Sequence, residues 1–116
     1  MVGTNNKQET APEPPARLVK IPSGALSLDG ELKVPPGAHG VVIFAHGSGS
    51  SRHSPRNQYV ARILRESGTA TLLFDLLTEE EERVDIATRR LRFDIPMLAR
   101  RLVDATRWLL DQPATR

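Results

Sequence analysis

The sequence contains no cysteine, which excludes a disulfide framework, a thiolate metal site and a thiol nucleophile within the chain. Aromatic residues are scarce, with three Phe, one Tyr and one Trp, so a core has to be built from aliphatic side chains. No stretch approaches the ~18 consecutive apolar residues of a membrane span. Met1 to Arg17 is polar and carries proline where an export leader would need an apolar run. A field of one sign is missing as well: residues 59 to 116 hold ten Arg against ten Asp and Glu, and the net charge is only +2. These absences predict a cytoplasmic protein with no nucleic-acid partner and no membrane partner.

What is present suffices for one domain. A chain of 116 residues, 39% hydrophobic and 26% charged, can bury a core and is neither collagen-like nor wholly disordered. Residues 1 to 16, with Pro12, Pro14 and Pro15 among polar neighbours, read as a disordered lead-in, which leaves residues 17 to 116 as the domain. Arg17 to Ile21 suits a short strand and Pro22-Ser23-Gly24 a turn. Residues 26 to 34 alternate around Asp29-Gly30, as one bent strand or a small hairpin, until Pro35-Pro36-Gly37 stops them.

The centre of the chain is more informative. Gly40 to Ala45 is an unbroken apolar, β-branched run, expected for a parallel strand covered on both faces. After a loop of small residues, Ser54-Pro55 offers an N-cap with proline at the first helical position, and Val60, Ile63 and Leu64 supply an apolar face up to Gly68. Thr69 to Phe74 is a second buried strand, ended by Asp75. Strand, loop, helix and strand make a βαβ unit. Thr78 and Glu81 have capping-box spacing and admit a short helix, although four consecutive Glu also suit a solvated turn. Asp94 can cap a last helix whose Ile95, Leu98, Leu102, Ala105 and Leu109 share a face, with its Arg side chains solvated and paired to Asp at helical spacing.

Chemistry is expected in the loop His46-Gly47-Ser48-Gly49-Ser50-Ser51-Arg52-His53, because open α/β sheets place ligands at the carboxyl ends of their strands. Glycines there let a ligand approach the backbone amides, though a tight turn with nothing bound accounts for the same residues. Two phosphate-loop patterns fail. From Gly47 the chain reads G-S-G-S-S-R, with Arg52 in place of the third glycine of the dinucleotide fingerprint, and no Lys follows Lys33 to serve a Walker loop. His39, His46 and His53 recur every seven residues, which fits no metal-ligand spacing, so no metal is expected. His46, between strand and glycine, suits a histidine held by backbone hydrogen bonds, and Asp75 suits either the same cleft or an ordinary turn.

GVVIFAHGSGSSRHSPRNQYVARIL, followed by ATLLFDLLT and LRFDIPMLARRLVDATRWL, resembles the N-terminal half of an α/β-hydrolase of the dienelactone hydrolase-like group, over about Arg17 to Gln112. The resemblance implies an α/β fold of three αβα layers, a partial α/β-hydrolase with a mostly parallel sheet. It places the oxyanion hole at His46, Gly47 and Ser48, with the Ser48 N–H as donor, and substrate-binding residues Arg52, His53 and Asp75 at the rim. It also implies a serine or cysteine acyl-enzyme acting on a small ester or lactone, with no cofactor. The G-x-S-x-G elbow that the family requires is absent from this sequence, so no catalytic nucleophile, acid or base is assigned within it, and the chain by itself is expected to be inactive. The family's strand order leaves the strand at residues 41 to 45 with an open edge, available to a second chain or a homo-oligomer. A non-catalytic module completed by a partner is the rival reading, and phosphate binding at the glycine loop a weaker third.

Overall fold

The computed structural model describes residues 13–46 and 53–112. Strands β1 (Arg17–Ser23) and β2 (Leu26–Lys33) form an antiparallel hairpin. The strand runs past Ile21 through Pro22, and the turn falls at Gly24 and Ala25, one step later than the sequence suggests. Proline is tolerated because β1 is an edge strand with one side free of ladder bonds. Gly24 takes a left-handed φ of 61°, which a side chain would strain. No second hairpin forms at Asp29-Gly30, and β2 crosses the sheet as one strand. A Cβ at Gly30 would stand 3.2 Å from the Phe74 Cβ and 3.2 Å from the Val19 Cγ2, so glycine there answers a close approach between strands.

Strands β3 (Val41–His46) and β4 (Ala70–Asp75) flank helix α1 (Pro55–Glu66), forming the expected βαβ unit with a parallel β3–β4 pair. The sheet order is β1-β2-β4-β3. Because β2 pairs antiparallel with β4 as well as with β1, the sheet is mixed, and its parallel character is confined to β3 and β4. Among the described strands only β4, in the interior of the sheet, is buried throughout its apolar run. Strand β3 differs from the expectation of a strand covered on both faces: Val42 is 37% exposed, because β3 lies at the edge and its second neighbour is missing among the described residues.

Helices lie on both faces, which gives the three layers. Ile21, Leu28, Leu32, Leu72 and Phe74 meet Ala105 and Leu109 of helix α3 (Ile95–Leu110) on one face. On the other, α1 applies Ala61 and Arg65 to the sheet, where Arg65 donates to Thr71 of β4. The apolar stripes read from the sequence are covered only in part. Val60 and Ile63 of α1 are 41% and 46% exposed, and Ile95 and Leu102 of α3 are 63% and 40% exposed. Helix α1 packs on β4, and Val60 and Ile63 lie outside that contact. Helix α2 (Glu79–Thr88) starts on a complete capping box, in which the Glu81 N–H donates to the Thr78 hydroxyl and the Thr78 N–H donates to the Glu81 carboxylate. No helix among the described residues is long and apolar enough to cross a membrane.

Candidate functional site

The parallel β3–β4 pair brings two strand ends together, and His46 stands in register with Asp75. His46 is 4% exposed, and its Nδ1 lies 3.2 Å from the Phe74 carbonyl oxygen. A carbonyl can only accept, so Nδ1 carries the proton and the ring is fixed against β4. The His46 carbonyl accepts from the Leu76 N–H at 2.9 Å. Side chain and backbone of the last β3 residue are thus both tied to β4, which fixes where the following loop departs. Asp75 is half-buried beside it.

Of the other sequence-derived site residues, His53 is exposed just before the N-cap Ser54, whose hydroxyl accepts from the Asn57 N–H. Gly47, Ser48 and Arg52 lie outside the described residues. His39 sits at the opposite end of β3 from His46, where its N–H donates to the Gly68 carbonyl, so the regular histidine spacing puts the two rings at opposite ends of one strand.

Behind the strand ends lies a polar cluster that the sequence reading assigned to a solvated face. Arg101 of α3 is 7% exposed, and its Nη1 donates to the Leu76 carbonyl at 2.7 Å. Its guanidinium also grips Glu81 with two bonds of 2.6 and 2.8 Å. The hydrogen bond from Arg101 holds the Glu81 carboxyl below its ordinary value, against an opposing effect of burial, while the same bond raises Arg101. Leu76 therefore joins His46 through its N–H to Arg101 through its carbonyl. The capping box was a legible signal for Glu81. Its partner lies twenty residues away on another helix, a distance at which helical spacing carries no information.

No family model matches the chain. The dienelactone hydrolase from Anabaena variabilis, a solved structure, superposes with a TM-score of 0.83 at 58% identity, over 88% of this chain and 47% of its own. Two Mycobacterium tuberculosis proteins, from strains CDC 1551 / Oshkosh and ATCC 25618 / H37Rv, are each 53% identical over 109 residues; both bear the name "Putative phosphoribosyl transferase". That match takes in 92% of this chain, and the chain spans about a quarter, 24%, of the length of those curated relatives. In sequence and in fold the chain thus resembles one part of a dienelactone hydrolase and matches a partial α/β-hydrolase fold.

Proposed function

We propose that this chain supplies the oxyanion-hole half of a carboxylic ester or lactone hydrolase, with the loop from His46 through Gly47 to Ser48 holding the reacting carbonyl. The observation that carries the reading is the double attachment of His46 to β4, at the end of the sheet where α/β folds bind ligands. Donors already in place cost no reorganisation when charge develops on the substrate oxygen, and the anchoring of His46 supports that role for the residues after it. In this reading the Ser48 N–H donates to the tetrahedral oxyanion. Arg52, His53 and Asp75 border the ester or lactone, and no cofactor takes part. The attacking serine or cysteine comes from a G-x-S-x-G or G-x-C-x-G elbow, and this sequence contains neither.

The phosphoribosyl transferase name belongs to proteins of which the match is 24%, and here the glycine loop lacks both phosphate-loop patterns. The 58% identity to a dienelactone hydrolase supports the hydrolase reading for this segment. The rival reading, a non-catalytic module completed by a partner, is supported by the open side of β3.

The deciding experiment joins this chain to the remaining half of the Anabaena variabilis dienelactone hydrolase and measures turnover of p-nitrophenyl esters and a dienelactone. In an active fusion, Ser48→Ala keeps the N–H and should be mild. Ser48→Pro deletes it and should lower kcat by ~10²- to 10³-fold, about 2.7 to 4 kcal/mol, with KM little changed. A folded fusion without turnover would favour the module, and an active fusion indifferent to a backbone ester at position 48 would remove the oxyanion role.

A further inference from the structure

At the amino end of β4, away from the candidate active site, three elements aim polar side chains at one recess. Arg65 of α1 has its side chain 2% exposed and donates from Nη1 to the Thr71 hydroxyl at 2.8 Å. Thr71 is fully buried, and its register partner on β2 is Lys33, whose side chain is 18% exposed. Over these groups the segment before β1 lays one carboxylate, its side chain 42% exposed. Glu13 accepts from Arg65 Nη2 at 2.6 Å and from Nε at 3.2 Å, with Lys33 Nζ at 3.6 Å. Thr71 and Asp75 are four residues apart on one strand, so the recess is ~13 Å from the strand ends that carry the candidate active site.

Structural economy does not explain this arrangement. Helix α1 leaves Val60 and Ile63 exposed yet turns an arginine toward the sheet, and β4 breaks its apolar run with threonine at the position that meets it. Burying a guanidinium costs several kcal/mol in desolvation, and a buried ion pair is often no more stabilising than well-packed apolar residues. Two cations converge on a single carboxylate, and that carboxylate is delivered by residues 13 to 16, which have no regular secondary structure. Arg65 and Lys33 both lower the Glu13 carboxyl below its ordinary value, Arg65 through the larger effect.

We propose that the recess of Arg65, Lys33 and Thr71 is a carboxylate-binding site, occupied within this chain by Glu13 as an internal ligand that a free carboxylate can replace. The planar guanidinium offers Nε and Nη2 side by side, the fork that matches two carboxylate oxygens, and Lys33 adds a point charge. Three residues separate Glu13 from β1, so its effective concentration at the site is in the millimolar range or above. An external carboxylate therefore competes poorly until Glu13 is removed.

The test is an NMR titration of the isotopically labelled chain with sodium acetate at constant ionic strength, with sodium chloride and inorganic phosphate as separate arms. Glu13→Ala should show saturable shifts of the Arg65 Nε–H and the Thr71 amide, with half-saturation at least tenfold lower than in the parent chain. Adding Lys33→Ala should weaken acetate severalfold. Should Glu13→Ala lose its fold by circular dichroism, Glu13→Gln keeps the side chain's shape, removes its charge and gives the same readout. Absence of a saturable shift in a folded variant overturns the proposal, as does equal half-saturation in variant and parent. A response matched by chloride, or tighter binding of phosphate than of acetate, overturns the carboxylate assignment. None of these outcomes depends on the hydrolase reading.

Discussion

Individual residues carry more of this fold than their types suggest. Gly30 is required by contact: the Cβ it lacks would press on Phe74, Val19 and Leu72, and the Phe74 Cβ is too close to its own backbone to give way. Gly30→Ala should therefore destabilise the chain by about 1 to 3 kcal/mol, the range for overpacking a filled interior, read as a lower midpoint of urea unfolding. A midpoint unchanged within error would mean that β1 and β4 can part without cost. Arg101 behaves in the same unadvertised way. Glu81→Gln keeps the shape and removes the charge that faces a guanidinium 7% exposed, so a loss of about 3 kcal/mol is expected, the lower end for breaking a buried pair. Arginine at that position was readable only as part of a charged helix face. Its burial depends on where α2 lies.

Among elements, the first turn of α2 and the segment before β1 are both fastened by carboxylates. Arg101 depresses Glu81 and Arg65 depresses Glu13, in each case mainly by hydrogen bonding. A carboxyl lowered in the folded state binds its proton more readily when unfolded. Its stabilisation is complete above the unfolded value, near 4.5, and is lost as pH falls through the folded value. Urea midpoints should thus be flat from neutrality to about pH 5 and decline below it. With Glu13→Gln and Glu81→Gln combined, that decline should become shallower, and an acid limb as steep as the parent's would assign it to other carboxylates. Thr78→Ala, which removes the hydroxyl half of the capping box, should cost about 1 kcal/mol. The caps of α1 and α3 were legible because Ser54 and Asp94 precede proline-bearing first turns and their side chains accept local N–H groups.

For the whole molecule, the unmatched side of β3 is the dominant physical fact. Among the described residues β3 pairs with β4 alone, Val42 is partly exposed on it, and Val60 and Ile63 of the neighbouring helix are exposed too. An apolar edge of this kind recruits strands. Light scattering of the chain should show a weight-average mass that rises with concentration, and slow amide exchange at Val41, Ile43 and Ala45, whose N–H groups point away from β4, should appear only in the associated form. A monodisperse monomer with those amides already protected would contradict it. The isolated chain should also leave p-nitrophenyl esters unhydrolysed above background and form no fluorophosphonate adduct, since the sequence holds no nucleophile elbow.

Features that depend on neighbours within a few residues are written in the sequence. The βαβ unit, the capping residues, the aliphatic core and the placing of His46 at a strand end all follow from local patterns and short steps along the chain. The tertiary structure alone decided which stripes are covered, because burial depends on an element's place in the sheet: β3 and β4 are similar apolar runs, yet the interior strand is buried and the edge strand is not. It decided as well that Arg65 and Arg101 are interior residues held by Glu13 and Glu81, across sequence separations of 52 and 20. An ion pair of that reach is set by how two elements pack, and no periodicity along the chain records it.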